Sequence, residues 1–456
     1  MTFSHINIIK MNKSIFFTIV LFLITTAVVA QKNTPEYYKN WPQWRGPDAT
    51  GYTSIGNPPT EWSETKNLKW KIEIPGRGHA TPIVWEDKVF IQTAIPTDRK
   101  VEESAPESEE SSDRRGPPAN KAQNIHDFIV MAIKRDDGSV LWETKVCDEQ
   151  PVDATHNFGT WASNSPVTDG EYLFAYFGSR GLYCLDFDGK ILWGRDFGQM
   201  EKKMSFGEGS SPALYGDNLV VIWDHEGESF LYILDKKTGK DIQKIPRDET
   251  TSWATPLIVE VNGKVQVITS ATGKMRSYDL ESGEIIWEGT GMTANVIPNP
   301  VVDKNVAYIM SGFRGNALQA IDLTKAKGDI TGTDAILWEY NQNTPYTPSP
   351  LLANDRLYFM RSNNGELTCL NTADGTVNYS TEKLEGTGTV FASPVGAQDR
   401  LYVSSESGIT YVIKEGKNFE IIAKNTLEDG NFASFAIAGD QLFIRGFQFL
   451  YCIAEK

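Results

Sequence analysis

A short pattern of polar and apolar positions recurs along most of the chain. Each copy begins with a small polar residue and a proline, continues with alternating apolar residues, and reaches an Asp or Asn before a strand that often bears an aromatic residue. After a longer first interval, the copies follow one another at about 44 residues. They are marked by Pro82, Pro166, Pro212, Pro256, Pro300, Pro350 and Pro394, and an eighth copy carries Phe435 in place of proline.

A second pattern lies within most copies: an apolar strand, a two-residue turn and a further strand. Glycine in these turns supplies the positive backbone angle that a tight hairpin requires. Alternation with a period of two, interrupted by such turns, predicts four short strands per copy. The turn dipeptides are Asp137-Gly138, Asp188-Gly189, Thr238-Gly239, Ser282-Gly283 and Asp374-Gly375.

Four-stranded repeats of this length are typical of a β-propeller, in which each blade covers its faces with neighbouring blades. Eight copies predict an all-β fold with a single eight-bladed propeller of four-stranded blades over residues 67–456. The last copy has only three strands, and the N-terminal stretch NLKWKIEIPG (67–76) matches the missing fourth. We therefore predict that this N-terminal strand joins the C-terminal blade and closes the ring.

Tryptophan recurs at one position of the fourth strand. A shared position favours a structural role, so we expect each indole to pack between blades and to donate its N–H to a backbone carbonyl. Blades 3, 6 and 7 carry Gln243, Tyr379 and Ala423 near this position, which predicts looser contacts there. The structural blade tryptophans are Trp70, Trp142, Trp193, Trp287 and Trp338.

The composition is that of a folded β-rich protein, with 40% hydrophobic and 23% charged residues, 12 Trp and 38 Gly. A formal net charge of -15 repels phosphate backbones, so nucleic acid is excluded as a partner. One segment, 97–124, is polar, charge-rich and proline-bearing. It cannot bury a core, and we predict a disordered insertion there.

Residues 1–30 have the features of a secretory signal peptide. From Met11, the predicted true start, Lys13 is followed by an apolar run and by small residues that suit signal peptidase, ending at Ala30. The alternative is an uncleaved membrane anchor, although the apolar run is short for a bilayer span. We predict export to the periplasm or the cell exterior, and a mature chain without a transmembrane span.

Patterns of metal-ligating or nucleophilic residues are absent from the sequence. The four cysteines are far apart, and Cys184, Cys369 and Cys452 have similar strand contexts, which favours buried free thiols over a disulfide. The five histidines form no HxH or HExxH pair, and neither a GxSxG nor a Walker-type loop occurs. The sequence therefore predicts no metal site and no catalytic residues.

The full repeat, SPxxxxxxLYxxxxxGxLxCLDxxTGxxLW, resembles the PQQ-like β-propeller repeat, whose superfamily includes quinoprotein dehydrogenases, BamB and secreted bacterial proteins. The stretch WPQWRGPDATG (41–51) is similar to the start of the secreted bacterial group. This resemblance implies that residues 31–66 form an N-terminal strap against the propeller. Within the strap we expect Arg45 to pair with a carboxylate or stack on an indole, and the apolar plugs to be Trp41, Trp44 and Trp62.

The same resemblance raises the hypothesis of a PQQ- and Ca2+-dependent alcohol or sugar dehydrogenase. Such enzymes typically stack the quinone between a Trp and a disulfide of adjacent cysteines, and surround Ca2+ with a carboxylate, an Asn and an Asp. This chain has no adjacent cysteines and no CxxCH haem motif. We therefore expect no cofactor, and PQQ with Ca2+ is kept as the alternative.

Residues that lead into the inner strands of a propeller surround the mouth of its central channel. The positions near the repeated prolines are not uniform, but they include a mix of His, Trp and Phe that forms either an aromatic, sparsely charged ligand-binding cup or a plug. The residue immediately before each proline position is Thr, Ser or Asn, which predicts hydrogen bonding within the scaffold. The candidate ligand-binding residues are Arg77, His79, His156, Trp161, Glu208, Trp253, Asn295, Tyr346, Phe391 and Phe432.

The sequence thus predicts an exported, non-catalytic binding or scaffolding propeller. It engages a protein, peptide or glycan through its channel mouth or its blade edges. The alternatives are the quinoprotein dehydrogenase and a carbohydrate-binding propeller, since the faces of Trp and Tyr suit sugar rings.

Overall fold

The computed structural model describes residues 35–101 and 120–455, and strands make up nearly all of the regular structure in them. These strands build eight sheets in a ring, each with four antiparallel blade strands, so the predicted eight-bladed propeller is confirmed. Two of the sheets gain a short fifth strand that pairs in parallel. Before the first repeat, the described residues form the helix α1 (Pro35–Tyr38), β1 (Tyr52–Thr53) and β2 (Leu68–Glu73). Two 3-10 turns, Gly178–Arg180 and Lys203–Ser205, lie farther along the chain.

In each blade the inner strand follows the repeated proline position, and the later strands lie farther from the axis. Blade 1 consists of β3 (Ile83–Trp85), β4 (Lys88–Lys100), β5 (Asn124–Lys134) and β6 (Val140–Glu149). Blade 2 consists of β7 (Val167–Thr168), β8 (Leu173–Tyr176), β9 (Leu182–Leu185) and β10 (Ile191–Arg195). Blade 3 consists of β11 (Ala213–Tyr215), β12 (Asn218–Trp223), β13 (Ser229–Asp235) and β14 (Asp241–Arg247). Blade 4 consists of β15 (Leu257–Val261), β16 (Lys264–Ser270), β17 (Met275–Asp279) and β18 (Ile285–Gly289). Blade 5 consists of β19 (Val301–Asp303), β20 (Val306–Ser311), β21 (Ala317–Asp322) and β23 (Ile336–Glu339). The short β22 (Gly328–Asp329) lies between β21 and β23 in the chain. Blade 6 consists of β24 (Leu351–Ala353), β25 (Arg356–Met360), β26 (Glu366–Asn371) and β27 (Val377–Lys383). Blade 7 consists of β28 (Val395–Ala397), β29 (Arg400–Ser404), β30 (Ile409–Lys414) and β31 (Ile421–Thr426). Blade 8 consists of β32 (Ala436–Ala438), β33 (Gln441–Arg445) and β34 (Phe449–Ile453), and β2 completes it.

The ring is closed by the N-terminal strand, as predicted. Strand β2 pairs antiparallel with β34, and Trp70 lies opposite Cys452. The hydrophobic core lies between the blades, because each sheet has two apolar faces to cover. Cys184, Cys369 and Cys452 are buried free thiols in this core, which confirms the expectation for them.

A circle of hydrogen bonds joins the blades around the channel. In seven of the eight blades, the N–H of the residue before the repeated proline position donates to the side-chain oxygen of the equivalent residue in the next blade, as Thr81 N–H does to Ser165 Oγ at 3.0 Å. This confirms the scaffold role predicted for the position. Six further bonds of 2.8–3.0 Å continue the circle through Ser165, Ser211, Thr255, Asn299, Ser349, Ser393 and Ser434.

Four of the five structural tryptophans make the predicted bond. Trp70, Trp142, Trp193 and Trp338 donate their indole N–H to a carbonyl of the next blade at 2.9–3.1 Å. Trp287 is fully buried, but among the described residues its indole nitrogen has no hydrogen-bond partner. The prediction is wrong there because the facing turn of blade 5 is expanded, and β22 pairs in parallel with β18 beside the indole.

The expectation of looser contacts is wrong for blades 3 and 7. Gln243 donates its amide N–H to the Glu281 carbonyl and so replaces the indole donor. In blade 7 the missing ring comes from the N-terminal residues, since Trp62 packs on Tyr402 with ring centroids 6.1 Å apart. Ala423 packs against the same hydrophobic cluster as these two rings.

The prediction of a disordered insertion over 97–124 is wrong at both ends of this segment. Strand β4 continues to Lys100, which pairs with Asn124 at the start of β5, because sheet pairing satisfies backbone groups on both sides. Residues 102–119 and the predicted signal peptide at 1–30 lie outside the described residues. Within 35–101 and 120–455, no helix is long and apolar enough to cross a membrane.

Candidate binding site in the central channel

A cavity of about 420 Å3, here called the cup, lies at the centre of the ring. Its volume falls within the range of small-molecule pockets. Aromatic rings and hydroxyl groups form most of its wall, and none of the described residues that line it is Asp, Glu, Lys or Arg. Members of the hydrogen-bond circle that line the cup are Thr81, Ser165, Ser211, Ser393 and Ser434.

The N-terminal segment, residues 41–64, crosses the channel below the cup. Trp41 bridges to Val84, and Tyr52 pairs in parallel with Gly396. Both contacts lie two residues past the repeated proline position, whereas the mouth residues precede it. Trp44, which lines the cup, therefore forms its floor.

Arg45 is held beneath this floor and is 1% exposed. Its guanidinium donates to the carbonyls of Pro350 at 2.6 Å and Pro394 at 2.9 Å. The expectation of a carboxylate partner or a stacked indole is wrong, because the inner ends of blades 6 and 7 present backbone carbonyls to this side chain. Burial lowers the pKa of Arg45 to about 9.

Six of the ten candidate residues line the cup. The indole N–H of Trp253 donates to the Gly207 carbonyl at 2.8 Å, and the Lys202 ammonium lies 5.6 Å from the centre of the same ring system. Trp253 is therefore held rigidly at the wall. The six residues are His79, His156, Trp253, Tyr346, Phe391 and Phe432.

The other four candidates do not line the cup. Glu208 accepts the backbone N–H of Ser179 at 2.6 Å, and burial raises the pKa of its carboxyl group. Trp161 donates its indole N–H to a backbone carbonyl at 2.8 Å, and Asn295 is 3% exposed. Arg77 is exposed, and its backbone bridges to β4. Proximity to the proline in sequence does not fix the direction of these side chains.

Several cup residues were not identified from the sequence. Phe158 is 43% exposed and reaches across the mouth, with ring centroids 5.3 Å from Phe391 and 5.6 Å from Phe432. Phe206 and Asn363 also line the cup. The available signal was the aromatic content of the loops as a whole, since these residues lie outside the repeat register.

The two histidines of the cup are neutral near pH 7. Burial, followed by the charges of Arg77 and Arg445, lowers the pKa of His79 to about 3. Burial also lowers the pKa of His156, whose Nδ1 accepts the Phe158 N–H at 3.2 Å. The cup wall thus carries no formal charge.

A family model described as outer membrane protein assembly factor BamB matches residues 126–242 and 227–453. The two matches together span most of the propeller. The chain belongs to the BamB family. No curated protein sequence matches this BamB-family chain.

Solved structures of other propellers are similar to this BamB-family chain. BamB from Moraxella catarrhalis has 14% identity and a TM-score of 0.52, covering 80% of this chain and 99% of its own. The quinohemoprotein alcohol dehydrogenase ADHIIG from Pseudomonas putida HK5 has 9% identity and a TM-score of 0.56, covering 93% and 81%. The computationally designed Ika8 protein has 10% identity and a TM-score of 0.51, covering 74% and 95%. At these identities the likeness shows the fold alone.

The cup of this BamB-family propeller does not fit PQQ held with Ca2+. Calcium takes several oxygen ligands, in which carboxylates are prominent, and the described lining supplies no carboxylate. The described ranges also contain no group of three or more His, Cys, Asp or Glu arranged to hold a metal ion.

Proposed function

We propose that this BamB-family chain is an exported, non-catalytic binding propeller that holds a segment of a protein or peptide partner, or of a glycan, in its cup. The observation that carries the proposal is the form of the cup: a floor at Trp44, an opening at the loops, and a wall of aromatic rings and hydroxyls. Such a site offers contact area and hydrogen bonds to a ligand that enters from one side.

The chemistry of the wall favours binding over catalysis. Aromatic rings supply large apolar contacts, and hydroxyl groups both donate and accept hydrogen bonds. A general base works best when its pKa lies near the working pH. His79, with a pKa of about 3, is far from that value.

Family membership and the N-terminal sequence support the rest of the proposal. The matched family is described as an assembly factor, which is a class of protein that acts on other proteins. Residues 11–30 combine a basic start, an apolar run and small residues, which supports export to the periplasm or the cell exterior. The exposed edges of the outer strands offer a second contact surface to a partner.

A titration with PQQ and Ca2+ separates this proposal from the dehydrogenase alternative. We expect calorimetry to show no Ca2+-dependent binding, because the cup supplies no carboxylate ligand. Dye-linked oxidation of alcohols and sugars should stay at the level of a protein-free control. Turnover that requires both PQQ and Ca2+ would contradict the non-catalytic assignment.

Filling the cup tests its role in binding. Gly209 lines the cup, and a Cβ there would meet only Trp253, at 3.5 Å. Gly209→Phe should therefore occupy the cavity without a backbone clash. For ligands selected from a displayed peptide library and a glycan array, we expect affinity to fall by at least about 100-fold, the equivalent of a few kcal/mol.

The matched control is Val140→Phe, which adds the same ring to an exposed outer strand. Its ligand affinities should equal those of the unmodified chain. If Gly209→Phe binds the selected ligands as well as the unmodified chain does, the cup is not the binding site and the blade edges take its place.

A further inference from the structure

The hydrogen-bond circle is open at one junction, between blades 8 and 1. Seven neighbouring pairs are bonded, but among the described residues Ser434 N–H makes no bond to Thr81, which would complete the circle. Both residues line the cup, as do His79 and Phe432 beside them. This junction therefore leaves the Ser434 N–H and the Thr81 side-chain oxygen without the bond that the other seven junctions make.

Arg445, at the end of β33, belongs to the same pair of blades. It is 1% exposed, and within the described parts of the chain none of its three guanidinium nitrogens has a hydrogen-bond partner. At the same register position, blade 1 carries Gln92, and blades 5 and 6 carry Met310 and Met360. The fold therefore accepts a neutral residue at this position and does not require a cation there.

The carboxylate near Arg445 is engaged elsewhere. Asp429 acts on Arg445 through its charge, but its oxygens accept the backbone N–H groups of residues 447–449 at 3.0–3.1 Å. Burial lowers the pKa of Arg445 only to about 10, so the guanidinium is charged at neutral pH. Phe443 pairs with Ala436, so Arg445, two residues farther along β33, lies at the level of Ser434 in the wall of the cup.

Arg445 differs in this respect from the other buried cations. A buried charge is costly unless it is paired or well hydrogen-bonded. Three of the others, Lys236, Arg247 and Arg276, are in ion pairs. Two more, Arg45 and Lys202, donate hydrogen bonds to backbone carbonyls. Within the described ranges, Arg445 is the buried cation that still lacks a partner.

We propose that the cup wall formed by His79, Thr81, Phe432 and Ser434, in front of Arg445, is a subsite for a carboxylate group carried on an apolar or aromatic body. The carboxylate accepts hydrogen bonds from the Ser434 N–H and the Thr81 hydroxyl, and its negative charge offsets the positive charge of Arg445. The body lies against the phenyl rings of the mouth. This inference rests on the proposed function and names the chemistry of the ligand end that enters the cup.

Two ligands with the same body test the subsite. Titration calorimetry of the full chain compares 2-naphthylacetate with 2-naphthylacetamide, which differ in charge. We expect the acid to bind about tenfold more tightly, as hydrogen bonds to a charged group imply. In Arg445→Met the acid should lose about tenfold in affinity, while the amide changes by less than about threefold.

Stability distinguishes a ligand-binding role from a structural one. Arg445→Met introduces the residue type that blades 5 and 6 carry at this position, and Arg445→Gln introduces that of blade 1. Both variants should melt at or above the temperature of the unmodified chain, because an unpaired buried charge is removed. Arg99→Met removes an exposed arginine and serves as the control for net charge. A lower melting temperature for both Arg445 variants, with acid binding unchanged, would assign Arg445 to the scaffold and overturn the subsite.

The remaining outcomes separate the subsite from the proposed function. If acid and amide bind equally and Gly209→Phe abolishes both, the subsite is overturned while the cup remains the binding site. If neither ligand binds, the subsite is also overturned, and the binding function is left to other ligands. Acid and amide binding that persists in Gly209→Phe contradicts the cup as the site, and with it the proposed function. A preference for the peptide Ala-Ala-Phe with a free over an amidated terminus assigns the carboxylate to a peptide end; binding of the naphthyl acid alone assigns it to a small organic acid.

Discussion

Replacing Trp70 with alanine should lower the free energy of unfolding by about 3 to 5 kcal/mol, the usual cost of deleting a buried large aromatic side chain. The indole is 8% exposed and donates to the Arg135 carbonyl at 3.0 Å, so the change removes both packing and a hydrogen bond. Trp70 lies in β2, the strand that completes blade 8. Urea unfolding followed by tryptophan fluorescence measures the effect.

The control for this change is Ile242→Ala on the outer strand of blade 3, where the side chain is 50% exposed. It should cost well under 1 kcal/mol, since surface substitutions usually lie within about 0.5 kcal/mol of neutral. If Trp70→Ala and Ile242→Ala unfold at the same urea concentration, the N-terminal strand contributes little to ring closure.

Removing Asp224 should destabilise the chain by a similar amount. Asp224 and Arg247 form an ion pair in which both side chains are 0% exposed, with Nε to Oδ1 at 2.7 Å. Asp224→Ala leaves the guanidinium buried without its counter-charge, which costs about 3 to 5 kcal/mol in comparable cases. Denaturant unfolding gives the value directly.

The double variant Asp224→Ala with Arg247→Met tests whether the unpaired charge of Arg247 causes the loss of stability. It removes both charges together, and replacing a buried pair by apolar residues is often close to neutral. We expect the double variant to regain at least half of the stability lost in Asp224→Ala. A double variant less stable than Asp224→Ala would show that packing by the two side chains, rather than the unpaired charge, causes the loss.

The blade count and ring closure were predictable because every blade solves the same packing problem with the same residues. Alternation, turn glycines and the residue before the proline recur in register, so errors in one copy are corrected by the others. Where a blade departs from the repeat, the prediction failed. Within the part of the chain that the structure describes, the expanded turn of blade 5 leaves the Trp287 indole without an acceptor. Trp62, from a distant part of the sequence, packs on Tyr402 of blade 7.

The cup was predictable only in part. Residues in repeat register, such as His79 and Phe432, line it as expected, because their position relative to the inner strand fixes their direction. Phe158 lies in an irregular loop, where side-chain direction depends on tertiary contacts. The isolation of Arg445 was beyond the sequence for the same reason, since a missing hydrogen-bond partner is a property of three-dimensional neighbours.

Closure by the N-terminal strand determines when this molecule can finish folding. Strand β2 pairs with β34, so β2 cannot form its sheet pairing until residues some 380 positions later have been synthesised. While the chain is synthesised from its N-terminus, the sheet edges at the gap stay unpaired. A polypeptide cut short before Phe449 lacks the partner of β2 and keeps an open ring. The fold therefore makes completion of synthesis a condition of the native state, and truncated products remain recognisable to proteases by their exposed edges.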